Sequence, residues 1–114
     1  MRSLFEEEKQ LLMRFAEKLD RNERSQLLAD AACATAQTVA PDGSRIKFQL
    51  DGYQRPPYQG QHTYGAEGKM LDSDFAELSV VLYADENGRL FELEFIRWDS
   101  SDLLGPRWNT LEVF

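Results

Sequence analysis

Carboxylates are the side chains in this sequence best suited to chemistry, and their spacing decides what they could do. Glu92 and Glu94 are two residues apart, which on a strand puts both on one face. Glu77, on a strand expected to pair with theirs, joins that face whatever register the turn sets. Paired carboxylates hydrolyse bonds only when burial raises one of them, and these three are expected on the outward face of the sheet. Asp72 and Asp74, with Asp85, have the composition of an oxygen-ligand cation site. The Asp72-x-Asp74 spacing, however, lacks the glycine and distal glutamate of a calcium loop. A loop boundary solvated by acids is the better reading. His62 is the only histidine and Cys33 the only cysteine, so no zinc-ligand spacing can be assembled. His62 would need a nucleophile beside it to serve as a general base, and no motif marks one. Cys33 falls among alanines on an expected strand, the setting of a buried, inert thiol. No catalytic residue, metal or cofactor is assigned.

The elements that must position these groups follow from periodicity. Ser3 followed by Glu6 fits a capping box, and Glu6, Glu7 and Glu8 suit the positive end of a helix dipole. Leu4, Leu11, Leu12, Phe15 and Leu19 then draw an apolar stripe, predicting a helix over 4–20. Asn22 can cap a shorter helix over 22–30 with Leu27 and Leu28 inward. Cys33 to Val39 and Arg45 to Leu50 flank the turn Pro41-Asp42-Gly43-Ser44 as a hairpin, with Ile46, Phe48 and Leu50 on one face.

The strongest β signal comes later. Ala76, Leu78, Val80 and Leu82 alternate with Glu77, Ser79, Val81 and Tyr83, and Asp85-Glu86-Asn87-Gly88 supplies a turn. The return strand puts Phe91, Leu93 and Phe95 inward and Glu92 and Glu94 outward. Between the hairpins, residues 51–70 form a long irregular connection rich in Tyr, Pro and Gly, with a short strand possible around His62 to Gly65. Connections of that length tend to carry function or motion. Trp108 to Phe114 is apolar enough to pack back as an edge strand. The expected fold class is α+β: two N-terminal helices on an antiparallel sheet of two β-hairpins plus a C-terminal edge strand, as one domain over 1–114.

The chain of 114 residues carries a net charge of −7. Residues 1–57 hold nine acids and nine bases, so residues 58–114, with eleven acids and four bases, supply the whole imbalance. Such a field repels nucleic acid and anionic membranes and attracts a basic protein. Solubility alone is the plainer explanation of surface charge. The acidic N-terminus suits no signal peptide, no apolar run approaches the ~20 residues of a membrane span, and no disulfide can form. These point to a cytoplasmic protein.

Several short motifs occur in a familiar order. They are Arg2-Ser3-Leu4 before Glu6-Glu7-Glu8, Asp42-Gly43-Ser44 before a strand with Phe48, Asp72-x-Asp74, Asp85-x-x-Gly88-x-Leu90-x-Glu92-Leu93-Glu94, and Arg97-Trp98-Asp99. In this the chain resembles a bacterial family of small α+β domains of unknown function. The resemblance implies a fold and transfers no catalytic residue. In size and charge the chain is also similar to immunity proteins of contact-dependent toxin systems, which implies a basic, nuclease-type toxin as partner.

The functional expectation is an acidic protein-binding module rather than an enzyme, most concretely such an immunity protein. Its partner-binding residues would be Asp72, Asp74, Glu77, Glu92, Glu94, Trp98, Asp99 and Asp102, with Trp98 as an anchor. The alternative for the acidic face is that helices or tail cover it and its acids meet Arg or Lys there. A second functional reading is a small enzyme or ligand-binding domain in which His62, Tyr58 and Tyr64 line a pocket in the 51–70 loop. A third is a housekeeping domain without a site.

Overall fold

Leu11, Leu12 and Phe15 have no solvent exposure at all, and burying each contributes about 1.5–3 kcal/mol. They fix one face of helix α1 (Glu6–Glu17) against a sheet, in a computed structural model that describes all 114 residues. Helix α2 (Arg21–Ala32) follows after a tight corner. There Arg24 donates to the carbonyls of Ala16 (3.1 Å) and Leu19 (3.1 Å), satisfying the end of α1.

The helix starts differ from expectation. Arg2–Ser3 form a short strand, β1, so Ser3 is drawn away from the cap. Phe5 takes the N-cap position, and Glu8 reaches back to its N–H at 2.7 Å. Asp20, not Asn22, caps α2, accepting from the Glu23 N–H at 2.9 Å. Leu28 lies outward, and only Leu27 and Asp30 of α2 are buried.

The remaining strands are β2 (Ala34–Thr38), β3 (Arg45–Leu50), β4 (Gln61–Thr63), β5 (Gly68–Leu71), β6 (Glu77–Asp85), β7 (Leu90–Arg97) and β8 (Arg107–Val113). All pair antiparallel in the order β1-β2-β3-β7-β6-β5-β8, with β4 on the same flank of β6 as β5. The fold is therefore α+β, two helices on an open antiparallel sheet. The two expected hairpins, β2–β3 and β6–β7, meet along β3 and β7, and β8 is the edge strand at the tail. Cys33 is not on a strand: it closes the C-terminus of α2. The segment 51–70 contains both β4 and the unexpected β5, which leaves 51–60 and the short link 64–67 as its irregular parts. No helix is long and apolar enough to cross a membrane.

Ile46, Phe48, Leu50, Leu78, Val80, Leu82, Leu93 and Phe95 lie on the helix-covered face, within one cluster of 24 buried residues. Phe91, expected inward on β7, is missing from it. The β6–β7 register slips between Tyr83 and Ala84, so that Tyr83 faces Glu92 while Ala84 faces Leu90. Phe91 is the extra residue of this bulge, and Leu90 takes the core position instead. The turn explains the shift: only Gly88 has positive φ (76°), and Asp85 receives the amides of both Asn87 and Arg89. This is the three-residue loop with a left-handed glycine rather than the two-residue Asn-Gly turn.

Candidate functional site

Five carboxylates are buried, and each is held by a different arginine. Arg2 takes Glu8 (2.8 Å), Arg89 takes Asp30 (2.8 Å), Arg97 takes Asp72 (2.9 Å), Arg55 takes Asp85 (2.8 Å) and Arg45 takes Glu92 (2.7 Å). Arginine suits this use because its fork donates to several acceptors at once and stays charged. The interior thus consumes basic groups one for one, and the excess acid remains outside.

This sorting divides the residues expected to bind a partner. Asp72 is fully buried and accepts from the amides of Ser73 (2.9 Å), Leu104 (3.0 Å) and Gly105 (2.7 Å) as well as from Arg97. It is an internal strut between two loops, not a solvated loop acid, and it has no face to offer a partner. Burial alone would push Asp72 up, but these hydrogen bonds outweigh it and bring it down to about 2. Asp74 and Asp99 both receive Arg97, at 2.7 and 2.9 Å, and the guanidinium holds each below its ordinary range. Arg97, expected as part of the Arg97-Trp98-Asp99 motif but not as a site residue, is the hub of this cluster. Its only sequence signal is its place beside Trp98-Asp99.

Asp85 lies far from that hub, bonded to Tyr53 (2.7 Å) and Arg55 (2.8 Å), so Asp72, Asp74 and Asp85 do not converge. No group of three or more His, Cys, Asp or Glu side chains is arranged to hold a metal ion.

Glu92 and Glu94 share the face opposite the helices, as their spacing requires, but their surroundings differ. Glu92 is 2 % exposed and bonded to Arg45. Glu94 is half-buried and accepts from the Tyr83 hydroxyl at 3.1 Å. Glu77 and Asp102 are exposed and carry no ion pair. The alternative that these acids meet basic residues of the chain holds for Glu92 alone, and its partner comes from β3, not from a helix.

Trp98 is 72 % exposed, its indole N–H donating to Ser79 Oγ at 2.8 Å. With Val81, Ile96 and Phe114 it lines a groove of about 510 Å³ on the outer face of β5, β6 and β7. Glu67, Glu77 and Lys69 also line that groove, Lys69 being paired to Glu112 at 3.3 Å.

A second cleft, of about 420 Å³, lies between residues 55–61 and the outer face of β3 and β7. Tyr58 lines it, but His62 is exposed on β4 and lines neither groove, and Tyr64 is buried in the core. The pocket expected around Tyr58, His62 and Tyr64 therefore does not form. Burial separates Tyr64 from solvent and pushes its hydroxyl well up.

A family model described as a domain of unknown function (DUF6984) matches residues 1–106. No curated protein and no solved structure matches the chain.

Proposed function

The chain belongs to that family, and from this premise we propose that it is a protein-binding module whose partner is a basic protein. The observation that carries this reading is the open sheet face around Trp98. Val81, Ile96 and Trp98 form an apolar strip that no helix covers, with unpaired Glu77 beside it. An exposed tryptophan in a shallow apolar groove with a charged rim is the usual build of an interface anchor. The unpaired acids around it would speed association with a cationic surface and help set specificity.

The most concrete form of this function is an immunity protein that holds a nuclease-type toxin. Such toxins bind nucleic acid and so present basic surfaces, complementary to a chain of net charge −7. The test is a titration of the protein against a panel of basic nuclease toxin domains, read by calorimetry and by inhibition of nucleic-acid cleavage. The expected outcome is tight, salt-sensitive binding to one member, weakened about 30-fold by Trp98→Ala, the loss typical of an interface hot spot. A Trp98→Ala, Glu77→Lys double variant that binds and inhibits as well as the parent protein would overturn the assignment of this face.

A further inference from the structure

We propose that the cleft between residues 55–61 and strands β3 and β7 is a binding site for a small aromatic carboxylate. This rests on a different part of the surface from the Trp98 groove, and it stands or falls independently of the partner reading.

The bulge is the first observation. It takes Phe91 out of the hydrophobic cluster and turns it into the cleft. Bulges re-aim side chains in this way beside functional sites. The shifted backbone is held rather than loose: Asp30 Oδ2 receives the Leu90 N–H at 3.0 Å, and Arg55 donates to the Leu90 carbonyl at 2.9 Å. Tyr58 lies 6.1 Å from Phe91 at an interplanar angle of 31°. Phe91 is only 8 % exposed and carries the Arg55 guanidinium 4.8 Å from its ring centre, so it is the floor of the cleft, and the 71 % exposed ring of Tyr58 is the face on which a flat ligand would rest.

The second observation is the distribution of cations. Arg55 is committed to Asp85 and to two backbone carbonyls. Arg45 spends its Nε on Glu92, which leaves its two Nη groups free to donate. Lys47 is opposite Glu92 in register but forms no ion pair, because Arg45 has taken that carboxylate. Its ammonium is 5.7 Å from the centre of the Phe91 ring. An aromatic shelf with two available cationic donors at its edge is therefore built into a strongly acidic protein.

The remaining lining narrows the ligand class. Asp85 and Glu92 also line the cleft, each paired to an arginine, and exposed Glu86 is unpaired; three carboxylates oppose dense negative charge, so a single carboxylate fits better than a phosphate dianion. Gln59 and Gln61 offer amides to polar substituents on the ring. A volume of about 420 Å³ suits a small-molecule site.

The experiment uses 4-hydroxybenzoate, its neutral amide 4-hydroxybenzamide, and a nucleoside monophosphate as probes, titrated into the full chain and followed by amide NMR shifts and calorimetry. The expected result is saturable binding of 4-hydroxybenzoate, with shifts concentrated at Lys47, Tyr58, Gln59, Gln61 and Phe91. The amide should bind more weakly, and Lys47→Gln should weaken the carboxylate about fivefold, the scale of one partly exposed ion pair. Lys47 and Tyr58 are exposed, so Lys47→Gln and Tyr58→Ala test the site without disturbing the core. Absence of shifts at millimolar probe overturns the proposal. So does binding that ignores both substitutions, or a preference for the nucleotide over the carboxylate.

Discussion

Asp30 and Leu90 meet at 3.0 Å, a helix carboxylate accepting the backbone N–H of a bulged strand. The same carboxylate receives Arg89 through Nε at 2.9 Å and Nη2 at 2.8 Å. One fully buried side chain thus supports the bulge, the arginine beside it and the docking of α2 on β7. Replacing it by asparagine removes the charge that balances Arg89 and points an amide donor at donors. Asp30→Asn is expected to lose roughly 3 kcal/mol of stability, the cost of breaking a buried ion pair. Urea unfolding measures it, and a loss below about 0.5 kcal/mol would contradict this role.

Asp72 and Tyr64 contribute to the pH dependence of stability from opposite ends, beside the other lowered carboxyls of Asp42, Asp74, Asp85 and Asp99. Asp72 is lowered from 3.8 to about 2 in the folded protein, so its contribution is complete above pH 4 and is lost as pH falls towards 2. Tyr64 is raised above 10.0 by burial, so the folded state loses stability as pH rises past 10. Unfolding free energy against pH should therefore fall off at both ends. In Asp72→Asn the acid slope between pH 4 and 2 should flatten, while stability at neutral pH drops. An unchanged acid slope would show that other carboxylates set it.

Two acids of the outer face, Glu92 and Glu77, separate by mutation. Glu92→Lys buries a cation against Arg45 and should cost roughly 3 kcal/mol or more. Glu77→Lys, at an exposed position without a partner, should change stability by less than about 0.5 kcal/mol. Thermal unfolding of the two variants distinguishes them, and a charge reversal meant to probe binding belongs at Glu77.

Gly68 has no room for a side chain. An added Cβ would lie 2.9 Å from Val80 Cβ and 3.1 Å from Phe15 Cζ. Gly68→Ala is expected to destabilise by about 1–3 kcal/mol through overpacking where α1 meets β5 and β6. Gly43, which has open space around its Cβ position, has no such clash to offer as a comparison but holds φ at 80°. Its alanine variant reports backbone strain alone, and circular dichroism melts of the pair separate the two costs.

The pattern of apolar residues made most of the fold legible. Leu11, Leu12 and Phe15 mark α1, the alternation of Ile46, Phe48 and Leu50 marks β3, and that of Leu78, Val80 and Leu82 marks β6. Burial drives each of these, and burial is what periodicity records. Other features were decided by partners distant in sequence. Phe91 fits the inward alternation, yet the loop geometry at Gly88 and the carboxylate of Asp30 shift it out. Ser3 has the type of a cap, yet pairing with Thr35 claims it for a strand. The candidate site divides the same way. Glu77 and Glu94 share the face their spacing gave them, whereas the fates of Asp72 and Glu92 depend on Arg97 and Arg45. No local pattern announces which arginine folds over which acid.

The line where β3 meets β7 has a kinetic meaning. Each hairpin closes a short loop, a microsecond-scale event for an isolated hairpin. Joining them pairs Ile46 with Leu93, and the long intervening chain must be ordered before three residue pairs return anything. Beyond Lys47 and Glu92 the strands part, and Arg55 spans the gap by donating to the carbonyls of Phe48 and Leu90, both at 2.9 Å, while at the other end the Phe95 N–H donates to the Ser44 carbonyl at 2.8 Å. Joining the two hairpins is thus the pairing with the longest chain to order, and two guanidinia, those of Arg45 and Arg55, fasten the seam once it has formed.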